Sequence, residues 1–100
     1  MNEEILSFEA ISKVVKPLAE KYKADEVYLF GSYARGEADK DSDLDFLVFG
    51  GEDFKSTDIF AFGEDVREIL NKKVDMFEIR EINKGTEFYN NIMREKVLVA

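Results

Sequence analysis

Residues 44–49, with the sequence LDFLVF, constrain the fold of this chain more than any other segment. Their apolar side chains fall on both faces of a strand, because successive strand residues point to opposite sides of a sheet. A strand that is apolar on both faces is expected in the centre of a sheet, covered on both sides. The chain has 100 residues, which is enough for one core. We therefore predict a single domain over residues 1–100.

Helical and strand-like patterns alternate along the rest of the chain. The predicted helices cover residues 3–22, 57–71 and 84–95, and the predicted strands cover 26–30, 44–49 and 73–79, with a short edge strand from the final VLVA. Pro17 either kinks the first helix or marks the start of a second one, since proline inside a helix removes a hydrogen bond. Strands joined by helical crossovers favour an α/β (α+β) fold, with a small mixed sheet and helices packed on it.

The helix predicted over residues 57–71 has a cap signal and an apolar stripe. Ser56 or Thr57 is expected to cap its start, because a side-chain hydroxyl can accept from a free backbone N–H there. The apolar residues at helical spacing are Ile59, Phe62, Val66, Ile69 and Leu70.

Composition excludes several kinds of chemistry. The chain has no cysteine and no histidine, which removes disulfides, Cys/His zinc sites and a serine–histidine triad. Its net charge is −8, so we expect no direct binding to nucleic acid, which needs clustered Lys and Arg. No apolar run reaches the roughly 18 residues of a membrane span, and the start MNEEIL has no signal-peptide pattern. We therefore expect a cytoplasmic domain without a membrane partner.

Five carboxylates occupy alternate positions between residues 37 and 45. Glu37, Asp39 and Asp41 are interpreted as a solvated acidic loop. Asp43 and Asp45 differ because they lie at the start of an apolar strand, where residues two apart point the same way. Two carboxylates side by side form an oxygen-rich site suited to Mg²⁺.

Asp75 is a candidate third carboxylate. It interrupts an otherwise apolar strand, and it could reach the same face as Asp43 and Asp45 from a neighbouring strand. An aspartate in such a run is more often a strand-end residue that faces solvent. Glu78 is a rival, but its parity puts it on the opposite face from Asp75.

A glycine-serine turn follows the first predicted strand. Gly31 can adopt a backbone that other residues avoid and lets a ligand approach closely. Ser32 is expected to be the N-cap of a short helix that Gly36 ends. The start of such a helix is a favourable place for a phosphate, and Arg35 could add a cationic fork for phosphate oxygens. Alone, the turn is also compatible with an ordinary strand-to-helix connection.

The two motifs together resemble a known family. Ten residues separate Gly31-Ser32 from Asp43-Leu44-Asp45, a layout that suits delivery of a Mg²⁺-nucleotide to a reaction. The segment GSYARGEADKDSDLDFLV resembles the signature of the minimal nucleotidyltransferases, the smallest members of the DNA polymerase β-like superfamily. The resemblance covers the whole chain, because the family's order of helices and strands matches the predicted one.

The resemblance implies a nucleotidyltransferase fold and a role for each motif residue. The catalytic and metal-binding residues would be Asp43, Asp45 and Asp75, and the nucleotide-binding residues would be Gly31, Ser32 and Arg35. Asp43 and Asp45 would bind two Mg²⁺ ions, and Asp75 would complete the metal site or act as a base. ATP would be the substrate, with its triphosphate held by Ser32 and the backbone of Gly31.

The resemblance also implies a protein partner. Many members pair with a HEPN-domain protein, often an RNase toxin, and act as its antitoxin. Some transfer AMP from ATP to a tyrosine of that toxin, and this is the activity we expect here. A chain of 100 residues has no separate domain for a template or a small acceptor, so a partner is expected to bring the acceptor.

Two alternatives remain open at this stage. The chain could neutralise its partner by binding alone, or it could transfer a nucleotide to a small molecule. Apolar residues that could contact a partner are Phe54, Ile59, Phe60 and Tyr89. We favour core positions for these residues over exposed ones, since single exposed apolar side chains are common and need no partner to explain them.

Overall fold

A mixed four-stranded sheet organises residues 4–100, the part of the chain that the computed structural model describes. The strands are β1 (Glu26–Phe30), β2 (Leu44–Phe49), β3 (Val74–Glu78) and β4 (Val97–Leu98), and the helices are α1 (Phe8–Tyr22), α2 (Gly31–Ala34), α3 (Asp58–Leu70) and α4 (Glu87–Glu95), with a 3₁₀ turn at Ile79–Glu81. The strand order is β3-β2-β1-β4. This architecture confirms the predicted α/β (α+β) fold with a small mixed sheet.

The central position predicted for β2 is confirmed. It pairs antiparallel with β1 and parallel with β3. Leu44, Phe46 and Val48 pack on one side, in a core that α1 and α3 cover. Leu47 packs on the other side, against Ile92 of α4. Burial on both faces therefore fixes this strand between its two neighbours, as its apolar pattern requires.

The first helix begins later than predicted. Ser7 is its N-cap, and its hydroxyl oxygen accepts a hydrogen bond from the Ala10 backbone N–H at 3.1 Å. Residues 4–7 are not helical, and the predicted start at residue 3 lies outside the described residues. The apolar spacing predicted a start that was too early. The helix begins at its N-cap, even where apolar residues at helical spacing precede that cap. Pro17 lies inside one helix, so no second helix begins there.

The apolar stripe of α3 is largely confirmed. Its buried residues are Ile59, Phe62, Val66 and Leu70. Ile69 is 60% exposed, so its place in the predicted stripe was wrong. Its neighbour Leu70 occupies the buried position, since adjacent helical residues point about 100° apart. Thr57 is the N-cap residue, but its side chain forms no cap hydrogen bond because its backbone is already helical.

The candidate partner-contacting residues divide into two groups. Phe54 and Ile59 are buried, as the core interpretation predicts, and Tyr89 is partly buried. Phe60 is 80% exposed, so the core interpretation was wrong for this residue.

The predicted edge strand at the end of the chain is confirmed as β4, which pairs with β1. None of the helices within residues 4–100 is both long enough and apolar enough to span a bilayer.

Gly63 offers a test of helix propensity inside α3. A Cβ at this position would lie 3.8 Å from Met76 Cβ, an ordinary contact, and the residue is inside α3. We expect Gly63→Ala to raise the free energy of unfolding by about 0.5–1 kcal/mol, because alanine restricts the unfolded chain and favours helix. Urea unfolding would measure the change.

Gly36→Ala is the matched control. Gly36 has open space around it but a φ of +72°. This variant should lose about 1 kcal/mol through backbone strain. Equal effects at the two positions would contradict the analysis.

Candidate active site

Backbone pairing of β2 brings the predicted site residues together. Asp45 is directly opposite Asp75 in the parallel pair β2–β3. It is also opposite Phe30 in the antiparallel pair β1–β2, and Gly31 follows Phe30. Directly paired residues point to the same face of a sheet, so Asp75 reaches the face of Asp45, as predicted. Asp43 immediately precedes β2 and shares the parity of Asp45.

Gly31 lies in close contact with the Asp45 carboxylate. Its φ is +75°, and a Cβ added to it would lie only 2.3 Å from Asp45 Oδ2. A side chain at position 31 is therefore excluded both by the backbone conformation and by the carboxylate. The turn and the acidic pair are one structural unit, since a change at Gly31 would displace Asp45.

Asp45 is affected electrostatically by its burial and by the two neighbouring aspartates. The pKa of Asp45 is raised from 3.8 to about 6, first by burial and then by the negative charges of Asp75 and Asp43. The positive charge of Arg35 opposes this rise. A carboxylate that is partly buried beside two others is costly to ionise, and a bound cation would offset that cost.

The aspartates suit Mg²⁺ by their chemistry. Within residues 4–100, no group of three or more acidic side chains already has the spacing of a metal cage. Carboxylate oxygens on one face of a sheet are nevertheless the hard ligands that Mg²⁺ prefers, and Mg²⁺ commonly takes only one or two of them together with substrate phosphates. Asp43, Asp45 and Asp75 are therefore the residues that would hold the ion.

The rival carboxylate Glu78 is excluded from this site by its position. It is buried on the opposite face of β3 from Asp75. Its carboxylate accepts hydrogen bonds from the backbone N–H and the guanidinium of Arg80. The strand parity in the sequence predicted this separation.

The short helix α2 begins two residues earlier than predicted. Its N-cap is Phe30, so the predicted capping role of Ser32 was wrong. The positive φ of Gly31 turns the chain directly out of β1, which places Ser32 inside the first turn. Gly36 ends the helix as predicted. Its N–H donates to the Tyr33 carbonyl, and the N–H of the next residue donates to the Ser32 carbonyl.

Arg35 links α2 to α4. Its Nε donates to Glu37 Oε2 at 2.9 Å, and its Nη1 donates to Glu95 Oε2 at 3.1 Å. The pair with Glu37 is exposed and the pair with Glu95 is partly exposed, so both contribute little to stability. A phosphate would compete with these two carboxylates for the guanidinium, and the nucleotide-binding role of Arg35 stays a prediction.

The acidic loop before Asp43 is solvated, as predicted. Glu37, Asp39 and Asp41 are exposed. Asp39 Oδ1 accepts from the Asp41 N–H, and the Asp39 N–H donates to Ser42 Oγ, both at 2.9 Å. These local bonds fold the loop into a turn that leads to Asp43.

Sequence analysis missed the role of Lys72. This lysine is only 3% exposed, and its Nζ donates to the Lys40 carbonyl at 3.3 Å. The next residue, Lys73, accepts at its carbonyl from the Leu44 N–H at 2.9 Å. The loop is thus held on both sides of Asp43 by the segment that leads into β3. The sequence signal for Lys72 was a pair of lysines before a strand, and lysines in such a position usually lie in solvent.

This fold and site define a class of nucleotide-transferring proteins. A family model described as "Nucleotidyltransferase domain" matches residues 11–99, and the chain belongs to that family. A Methanocaldococcus jannaschii protein, provisionally named protein adenylyltransferase MJ0604, is 45% identical, with 95% of each chain covered. Protein adenylyltransferase MntA of Thermococcus cleftensis is 31% identical and covers 95% of this chain and 98% of its own. The chain is therefore a nucleotidyltransferase, as the motif predicts.

Solved structures agree with this assignment. A protein provisionally described as a minimal nucleotidyltransferase superposes with a TM-score of 0.77 at 30% identity, covering 92% of this chain and 95% of its own. A complex of a tri-AMPylated Shewanella oneidensis HEPN toxin with an MNT antitoxin contains a chain that matches with a TM-score of 0.70. At 17% identity, covering 94% of this chain and 72% of that one, the second match shows the fold alone. The predicted nucleotidyltransferase fold is confirmed.

The raised pKa of Asp45 predicts a pH-dependent gain from Asp45→Asn. In the folded protein the pKa of Asp45 is raised to about 6, whereas the ordinary pKa of an aspartate is 3.8. Wild-type stability therefore falls as pH rises through this window and stays lower above it. In chelator and without metal, Asp45→Asn should gain about 1–2 kcal/mol at pH 7.5, allowing for solvent screening. The gain should shrink toward zero near pH 4.

Urea unfolding between pH 4 and pH 8 would measure this difference. Asp41→Asn is the control for the same substitution at an exposed loop carboxylate, and its stability should stay within about 0.5 kcal/mol of wild type. A gain from Asp45→Asn that is constant over the whole range would show that packing, not ionisation, is responsible.

Lys72→Met should destabilise the protein by about 1–3 kcal/mol, because it leaves the Lys40 carbonyl without its buried donor. Lys73→Met, at the exposed neighbouring position, should stay within about 0.5 kcal/mol of wild type. Hydrogen exchange should also accelerate at the loop amides before β2 in Lys72→Met only. If both variants behave alike, the buried hydrogen bond does not hold the loop.

Proposed function

We propose that this protein is a Mg²⁺-dependent enzyme that transfers AMP from ATP to a partner protein, a HEPN toxin, and so acts as its antitoxin. The observation that carries the proposal is the double pairing of Asp45, with Asp75 on one side and with Phe30, the residue before Gly31, on the other. Because of this pairing, the turn at Gly31 and Ser32, which suits a phosphate, lies next to carboxylates on one face of the sheet.

The two sides of the site suit the two parts of a bound nucleotide. The first N–H groups of α2 have no partner within the helix, and together with the Ser32 hydroxyl they suit phosphate oxygens. Asp43 and Asp45 would hold Mg²⁺ against the same phosphates. The ion supplies charge neutralisation on the phosphates and a fixed orientation for the reacting groups.

Transfer then needs an acceptor hydroxyl and a group that takes its proton. The acceptor oxygen forms a bond to the α-phosphorus, the bond from that phosphorus to the bridging oxygen breaks, and pyrophosphate leaves. The hydroxyl proton passes to a carboxylate. Asp75 is exposed and lies across the strand pair from Asp45, which supports a role for it in taking this proton or in completing the metal site.

A protein acceptor is supported by two of the proteins to which this chain is similar. One relative that is 31% identical over nearly its full length is named protein adenylyltransferase MntA. A complex whose chain shares this fold contains a tri-AMPylated HEPN toxin and an MNT antitoxin.

Asp43→Ala should abolish transfer, with a loss of about a thousandfold or more, while the domain stays folded. Thermal unfolding with ATP, CTP, GTP and UTP, each with and without Mg²⁺, tests the nucleotide site first. A ligand at 100 times its Kd stabilises the folded state by about 2.7 kcal/mol. We expect a Mg²⁺-dependent shift that is largest for ATP in wild type and absent in Asp43→Ala.

Mass spectrometry of the HEPN protein after incubation would then detect the added AMP. Asp41→Ala, in the exposed loop, is the control and should retain transfer. Transfer at the normal rate by Asp43→Ala would contradict the proposal. Neutralisation of the toxin by Asp43→Ala at equal molar ratio, without ATP, would instead favour antitoxin action by binding alone.

A further inference from the structure

A groove of about 330 Å³ lies beside Asp75, between α3 and β3. Ile59, Phe60 and Gly63 of α3 form one wall, and residues 74–77 of β3 form the other. We call it the β3 groove. It adjoins the candidate active site, because Asp75 lines the groove and is also a candidate site residue.

The β3 groove follows a free strand edge. Four successive residues of β3 line it, although successive strand residues point to opposite faces. A cavity can touch all four only where it wraps around the edge of the strand. Among the described strands β3 pairs with β2 alone, so its other edge has backbone donors and acceptors available for a further strand.

The walls of the groove indicate which chemistry it would accept. Phe60 is 80% exposed there, beside Ile59 and Met76, which offers a contact for an apolar side chain. The charged residues that line the groove are all acidic, namely Glu64, Asp75 and Glu81. Arg67 pairs with Glu64 from outside the lining, in an exposed contact of 3.4 Å. The groove therefore favours a segment with basic residues.

We propose that the β3 groove binds the acceptor segment of the partner protein as an added, extended strand. This proposal rests on the proposed function and names the chemistry of the segment. The segment bears a hydroxyl residue, an apolar side chain that contacts Phe60, and Lys or Arg beside Glu64 and Glu81. Strand pairing along β3 brings the hydroxyl next to Asp75, which is the group placed to receive its proton.

Labelled nonapeptides are the probe for this groove. Each has a central tyrosine or serine, a leucine at the adjacent position so that it points to the opposite face, toward α3, and a lysine near each end; a second set replaces the lysines with glutamates. A third set carries N-methyl groups on alternate amides, which prevents strand pairing. Fluorescence anisotropy measures binding to the full chain, and pyrophosphate release with ATP and Mg²⁺ measures transfer separately.

Two groove variants and one matched control are compared with wild type. Phe60→Ser removes the apolar contact, and Gly63→Leu fills the groove at a position where a Cβ is tolerated. Ile69→Ser is the control, because Ile69 is on the same helix and 60% exposed but does not line the groove. Thermal unfolding of each variant shows that it is folded.

The lysine peptides should bind wild type at least about tenfold more tightly than the glutamate or N-methylated peptides, and more weakly as salt rises. Phe60→Ser and Gly63→Leu should each weaken binding by about tenfold, while Ile69→Ser stays within about twofold. Absence of binding to wild type, or equal binding by all three variants, would overturn the inference. The peptides could bind in this pattern while neither they nor a HEPN protein receive AMP. That result would refute the proposed function but would support the groove as a binding site.

Discussion

The backbone pairing of β2 with both of its neighbours is the constraint on which the rest of the molecule depends. Because β1 runs antiparallel to β2 and β3 runs parallel to it, one residue, Asp45, lies opposite the end of β1 and opposite Asp75. The glycine turn then starts where β1 ends. A slip of one residue in either pair would move Asp75 or Phe30 to the other face and separate the turn from the carboxylates.

This arrangement places like charges together in a partly buried position, and the rest of the fold must offset the cost. Burial and the neighbouring aspartates raise the pKa of Asp45. The two-sided core around β2 supplies the stabilisation, since Leu44, Phe46 and Leu47 are fully buried beside the site. Lys72 adds a buried donor that holds the loop before Asp43. The electrostatic cost of ionising Asp45 lies at the place where a bound cation would offset it.

Much of the fold and site was predictable from local pattern. The apolar run of β2, the paired parity of Asp43 and Asp45, and the opposite parity of Glu78 all follow from the two-residue repeat of a strand. The wrong predictions arose where a neighbouring residue took the role that a local pattern assigned to the predicted one. Ser32 resembles an N-cap, but the left-handed backbone of Gly31 lets the helix begin two residues earlier, with Phe30 as its N-cap. Ile69 fits a helical stripe, but Leu70 takes the buried position.

The sequence by itself determined the chemistry of this protein, because residue types and their spacing along one strand or turn are local properties. It indicated the acidic pair, the glycine turn and the third aspartate. Only the tertiary structure decided that Asp75 pairs with Asp45 and that Lys72 is buried against the loop. It also decided that, among the described strands, β3 pairs with β2 alone and lies near Phe60. These facts depend on strand order and register, which are set by how distant segments pack together.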